Sequence, residues 1–432
     1  MNALFSDGMV LQQNSSVSVF GNSEPNYSFS FKAEWLDDEF KVKSNSDGRF
    51  LFNVSTPSAG GPYKMQVDNK IINDILVGEV WLGSGQSNMQ MRLKETDVNL
   101  EELVKNSEIR LFTVPVQDSM SPLTHLSNGN WVSGDNLEML LQESAVAYYY
   151  ALTLQEELKV PVGIITASRG ASAAEEWIRG DSYENLPDSI KSLYKPDPPK
   201  YPSSWYNGMI SPIIPYKIKG VIWYQGEANV PRKASYPILI ETLVEDLRIH
   251  FEDENLPFFM VQLPTFKREW QEFRLVQESI ADKMNHSGMV TTLDLGDEND
   301  IHPKRKKEVG QRLAHLSLAK VYQKDFRFSS PRYSQIEFTE DIARITFLHA
   351  EEGLITQDGM MPKYFELAGK DGVYHPATAK IHNNIIEIKS PEISSPTAVR
   401  YFWIGYGKPN LISKDGYPVA PFNYPHLNFP FK

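Results

Sequence analysis

The 432-residue sequence predicts an α/β fold: a parallel sheet covered on both faces, flanked by N- and C-terminal β regions. Three observations carry that prediction. Near-continuous apolar strands alternate with helical stretches between about residues 75 and 325, as in a sheet buried on both sides. Residues 1–74 hold short alternating or apolar runs separated by turn signals such as NSEPN, NSDG and SAGGP. From residue 326 onward QIEFTE, ARITFLH, IIEIKS and AVRYFWIGY return to the β pattern.

A chain of this length exceeds one compact core. The expected division is an N-terminal β domain over 1–74, an α/β domain over 75–325 and a C-terminal β region over 326–432 that could pack with the first. Within the α/β part the strand candidates are 75–82, 162–168, 220–225, 258–263 and 289–295. Helical stretches fall at 137–158, 236–251, 271–284 and 304–322. The Pro- and Lys-rich run 182–202 reads as a surface insertion.

Composition excludes several function classes. No apolar run approaches the ~20 residues of a membrane helix. A formal net charge of −12, with nothing basic clustered enough to track phosphates, argues against nucleic acid as partner. There is no cysteine, hence no disulfide, thiolate metal site or Cys nucleophile. The start, MNALFSDGMVLQQ, lacks the charged and apolar regions of a signal peptide. The expectation is a periplasmic or secreted mature chain lacking its leader, with the cytoplasm as the alternative. The 8 Trp and 20 Tyr suit sugar sites, though such residues are core by default.

Ligands of such sheets sit outside the carboxyl ends of the strands, and four strand ends here carry polar clusters. The first, ILVGEVWL (75–82), breaks into a Gly-Ser-Gly turn and delivers Ser87. That serine reads either as a nucleophile backed by backbone N–H groups or as an ordinary helix N-cap. The second strand runs into Ser168-Arg169-Gly170-Ala171-Ser172, a small-residue turn able to approach a ligand closely. The third ends in Gln225-Gly226-Glu227-Ala228-Asn229, and the last leads through GDENDIHPK to His302.

Together these match a nucleophile, a base, an orienting acid and oxyanion donors. His302 is the natural general base, set before Pro303 and behind a run of acidic residues. The other eight histidines lack that setting. The acid that would hold its tautomer is Asp300, with Asp297 or no acid as alternatives. GSGQSN fits neither phosphate-loop pattern, because Asn88 stands where a dinucleotide loop needs glycine and no loop lysine follows. No His/Asp spacing suits zinc, and no metal or organic cofactor is implied.

GQSNM (85–89), the small-residue loop leading to Trp177, WYNGMI (205–210), IKGVIWYQGEAN (218–229) and DIHPKRKKEVGQRLA (300–314) resemble the sialate O-acetylesterase family of SGNH hydrolases. ALFSDGMVLQ (3–12) and DGYPVAPFNY (415–424) resemble its terminal β segments, so the likeness spans essentially the whole chain. It implies a flavodoxin-like three-layer SGNH domain and a serine carboxylic ester hydrolase. Carried over residue by residue, it implies Ser87 as nucleophile and His302 as base. The oxyanion hole would use the Ser87 and Gly170 amides and the amide of Gln225, which stands where many SGNH enzymes place Asn.

The chain departs from the pattern at Gly170-Ala171-Ser172, where Gly-Gly-Thr is usual, and at Arg169, where Trp is common. A backbone donor at Ala171 is expected to need a negative φ. The common acid position, three before His302, holds Asn299. The implied partner is an acetylated sugar, with Arg169, Glu227 and Asn229 as candidate substrate contacts. Arg169 reads either as a partner for a sialic acid carboxylate or as a solvated loop residue. The competing readings are an acetylxylan-type polysaccharide acetylesterase and a non-catalytic carbohydrate-binding protein.

Overall fold

A computed structural model describes residues 1–196 and 200–426. Residues 197–199 of the expected insertion and 427–432 of the C-terminal region lie outside the described residues. The rest of 182–202 includes part of the short helix Gly180–Glu184 and the helix Asp188–Lys191. The chain divides into two compact units. The first holds Met1–Phe259, Met284–Ser287 and Lys304–Ala314, and the second Met260–Lys283, Gly288–Pro303 and His315–Lys432.

The first unit is organised by one long strand, Lys70–Gly85, which runs straight through residue 74. Its first half pairs antiparallel with Gly60–Val67 and, at Leu76–Gly78, parallel with Val10–Gln12. Its second half lies between Gly220–Tyr224 and Val162–Ser168, both parallel to it. Beyond Val162–Ser168 follow the parallel strand Asn106–Thr113 and the antiparallel Trp131–Gly134. Every residue of Val162–Ser168 and Gly220–Tyr224 is buried, so their unbroken apolar runs are those of a sheet covered on both faces. In register, Gly85 pairs with both Ser168 and Tyr224, which brings three strand ends side by side.

Helices and strands follow the expected stretches, with two differences of physical origin. The stretch 137–158 is two helices, Leu137–Leu140 and Ala145–Leu158. Ser144 makes the break, its hydroxyl accepting from the Ala147 N–H and donating to the Met89 carbonyl. The last strand candidate, 289–295, is instead Ser287–Val290. Beyond it the Thr292 hydroxyl bonds to the Gln262 carbonyl and the Leu295 N–H to the Thr292 carbonyl, turning the chain. Helices Tyr236–His250, Gln271–Lys283 and Lys306–Lys320 complete the set. Among the described residues no helix is long and apolar enough to cross a membrane.

The second unit carries an antiparallel sheet of seven strands in the order Arg332–Thr339, Ile342–Leu348, Ile385–Lys389, Tyr374–His382, Phe365–Ala368, Ala398–Tyr401, Phe422–Tyr424. Its inward face packs Ile345, Phe347, Leu367, Ile386, Val399 and Tyr401 into one apolar core. Arg274 is fully buried in this unit, donating to the carbonyls of Leu263, Pro264, Ile404 and Gly405. Burial pulls its guanidinium below the usual arginine range.

Candidate active site

The strand Lys70–Gly85 ends where only glycine fits. Gly85 has φ +135°, and a Cβ there would lie 2.2 Å from the Tyr224 carbonyl oxygen. The Gln86 N–H then bonds to that same carbonyl at 3.0 Å, and Ser87 opens the short helix Ser87–Gln90. Ser87 is therefore the first helical residue rather than its cap, and it is half-buried. Gly170 lies beside it: a Cβ on Gly170 would be 3.5 Å from the Ser87 Cβ. The loop that holds Gly170 is tied back by the Arg169 N–H to the Gly85 carbonyl at 3.0 Å.

Ala171 adopts φ +58°, not the negative φ that a backbone donor there was expected to need. The loop keeps a left-handed conformation that alanine adopts at a cost of about 1–2 kcal/mol. The Gly170 N–H, the expected oxyanion donor, is directed at the Gln90 side chain, 2.8 Å from its Oε1. Gln90 lies three residues beyond Ser87 on the same helical face.

Three of the expected site residues are buried and hydrogen-bonded inside the fold. Gln225 is fully buried, its Nε2 donating to the Ser172 carbonyl and to Asn229 Oδ1 while its Oε1 accepts from the Tyr236 hydroxyl. Both side-chain hydrogens are thus used internally, tying the second strand-end loop to the third. Asn229 is likewise fully buried, accepting from the Ala174 N–H and Gln225 and donating to Glu175, which pairs with Arg232 at 3.1 Å. These bonds join the second and third strand ends.

Glu227, expected at the substrate, is buried behind the Ser87 turn. Its Oε1 accepts from Asn88 Nδ2 at 2.6 Å, and Asn88 Oδ1 accepts from Lys306 Nζ at 2.6 Å. Burial pushes the Glu227 carboxyl above the usual carboxylate range, opposed by its own N–H, the Asn88 amide and the Lys306 charge.

Arg169 is exposed, its guanidinium 5.6 Å above the Trp205 ring. Lys200 Nζ donates to the Ala171 carbonyl at 3.0 Å. Two cations therefore stand on the Gly170 loop of an acidic chain. Trp205 is oriented from behind by its indole N–H to Glu176, which also accepts from the Tyr194 hydroxyl.

His302 and Asp300 belong to the second unit. Asp300 Oδ1 accepts from the His302 N–H at 2.8 Å and lies 3.4 Å from His302 Nδ1. Asp297 Oδ1 accepts from the N–H groups of Asn299 and Asp300. Asn299 is engaged by Lys267. Asp300 thus faces the imidazole.

The model of the carbohydrate esterase family described as sialic acid-specific acetylesterase matches residues 77–319. The chain belongs to that family. It is 28% identical over 341 residues to the sialate O-acetylesterase of Homo sapiens, covering 68% of this chain and 65% of that protein. The mouse sialate O-acetylesterase is 25% identical over 368 residues, covering 68% and 67%. A crystal structure of a carbohydrate acetylesterase from Xanthomonas citri superposes with a TM-score of 0.89 at 30% identity, covering 98% of each chain. The matched stretch thus spans just under two thirds of the human relative's length.

For a member of this family, sequence reasoning missed Asn88, Gln90 and Lys306. Gln90 had a usable signal, its three-residue spacing from Ser87 within GQSNMQ. Lys306 sits in the run PKRKK, which reads as a solvated face, yet its side chain is fully buried. Nothing in the spacing distinguishes it from its neighbours.

Proposed function

We propose that this protein is a carbohydrate O-acetylesterase acting through a serine acyl-enzyme, on an SGNH-type catalytic layer. The observation that carries the reading is the alignment of Ser87 with Gly170 at adjoining strand ends, in a chain of the acetylesterase family.

In the proposed reaction Ser87 Oγ attacks the acetyl carbonyl while His302 takes its proton, with Asp300 holding the imidazole. The Ser87 and Gly170 N–H groups stabilise the tetrahedral oxyanion, Gln90 Oε1 giving way at Gly170. His302 gives the proton to the departing sugar oxygen as its bond to the acetyl carbon breaks, freeing the sugar hydroxyl. Water deprotonated by His302 then attacks the acetyl-Ser87 ester, and His302 passes the proton to the departing Ser87 Oγ as acetate is released.

An O-acetylated sialic acid is the proposed substrate. Arg169 and Lys200 on the Gly170 loop supply positive charge for its carboxylate, and Trp205 a flat apolar face for the ring. The reading is tested by Ser87→Ala. The variant should retain the wild-type melting temperature and lose hydrolysis of 4-nitrophenyl acetate by at least about a thousandfold; turnover near wild type refutes it. Comparing 9-O-acetyl sialic acid with acetylated xylo-oligosaccharides separates the sialate reading from a polysaccharide one. Arg169→Ala should weaken only the anionic substrate.

A further inference from the structure

The helix that starts at Ser87 has four residues and no side-chain cap at Gln86. A single turn has no stability of its own, so its geometry is imposed from outside. We infer that the buried chain Glu227–Asn88–Lys306 imposes it, making Glu227 and Lys306 positioning residues that act on Ser87 through Asn88. This rests on the reading of Ser87 as nucleophile.

Asn88, the residue after Ser87, is fully buried, with its amide nitrogen on the Glu227 carboxylate and its amide oxygen on the Lys306 ammonium, both at 2.6 Å. A primary amide can donate to an anion through its nitrogen and accept from a cation through its oxygen, and the two ends are not interchangeable. The two charges therefore dictate a single orientation of Asn88, and with it the backbone one bond from Ser87. Lys306 also lies 5.4 Å from the ring of Tyr224, the residue in register with Gly85. The arrangement thus fixes the turn to the strand beside it.

Energetics separate this from simple core filling. Taking an ammonium and a carboxylate out of water costs several kcal/mol per ion, and apolar groups of the same volume stabilise as well or better. The Glu227 Oε2 and Tyr224 hydroxyl oxygens are buried here without a hydrogen-bond partner, a further cost that a packing role leaves unexplained. What the ions provide is direction. Lys306 lies four residues beyond His302, so one run of sequence, DIHPKRK, carries both the proposed base and the anchor of the proposed nucleophile.

The test uses the full chain, with Ser87→Ala, Glu227→Gln, Lys306→Met and the Glu227→Gln/Lys306→Met pair. The readouts are 4-nitrophenyl acetate kinetics, the rate of Ser87 labelling by a fluorophosphonate, and melting temperature. Lys306→Met is expected to lower kcat about 30-fold and Glu227→Gln about tenfold, with KM within threefold and labelling slowed in proportion. The pair should lose less than the product of the singles, because both charges leave together. The inference is overturned if Ser87→Ala is dead while folded Glu227→Gln and Lys306→Met turn over and label within threefold of wild type. Should Lys306→Met not fold, Glu227→Gln decides alone. An active Ser87→Ala would instead overturn the nucleophile reading itself.

Discussion

Lys306 in the first unit and Arg274 in the second are both fully buried, and they are held in opposite ways. Arg274 spreads its charge over four main-chain carbonyls, with the Phe402 ring 5.6 Å away. Those partners are fixed by the path of the backbone, so the guanidinium works as a clamp between Leu263–Pro264 and Ile404–Gly405. Lys306 is held by the Asn88 side chain, and through it by Glu227. Main-chain partners make a rigid fastening that serves stability, whereas side-chain partners transmit orientation to the residue they touch. A buried cation is informative about function chiefly when its partners are side chains next to a reactive group.

That contrast can be broken by experiment, beginning with the largest effect. Arg274→Met leaves four buried carbonyls short of a donor and should cost about 3–5 kcal/mol. Urea unfolding would measure the loss, and kcat per folded molecule should stay at the wild-type value. An equal drop in kcat would erase the distinction between the two cations.

The next effect is pH-dependent and also lies in the second unit. Burial pushes the Glu278 carboxyl up to about 7, even with Arg332 at 2.7 Å. The folded state then holds a proton that the unfolded chain releases near its ordinary carboxylate value. The stabilisation is complete below that value and is lost as pH rises from about 4.5 to about 7, by roughly 1–3 kcal/mol. Glu278→Gln should flatten the profile of melting temperature across that window.

Smaller effects belong to the first unit. Ala171→Gly relieves the left-handed alanine and should stabilise by about 0.5–1 kcal/mol, read as a rise in melting temperature. Gln90→Ala frees the Gly170 amide and should lower KM for an acetyl ester about two- to tenfold without raising kcat. A raised KM would mean that Gln90 supports substrate rather than competing with it.

How much of this was legible in the sequence follows from what periodicity encodes. The strands ending at Gly85, Ser168 and Tyr224 were visible as apolar runs closed by small or polar residues, and their register brings Ser87 and Gly170 together. The direction of a side chain just past a strand end was not visible. Gln225 turns inward because Tyr236, Asn229 and the Ser172 carbonyl saturate its amide, partners 4 to 53 residues away in sequence. Lys306 was hidden for a related reason: four basic residues within PKRKK look alike until the start of the helix fixes which one faces inward. Ser144 shows the converse case, a capping residue concealed inside an otherwise continuous helical stretch.

The Gly170–Gln90 hydrogen bond bears on how the proposed esterase would distinguish a bound ester from its reacting form. A carboxamide oxygen is at least as good an acceptor as an ester carbonyl, so a substrate that displaces Gln90 merely exchanges one neutral hydrogen bond for another. The tetrahedral alkoxide offers something the carboxamide cannot, a charge-assisted bond roughly twice as strong. Occupancy by Gln90 thus sets a threshold that the ground state barely meets and the transition state clears. One glutamine, three residues beyond the serine, would convert a general-purpose amide into a donor selective for the moment of attack.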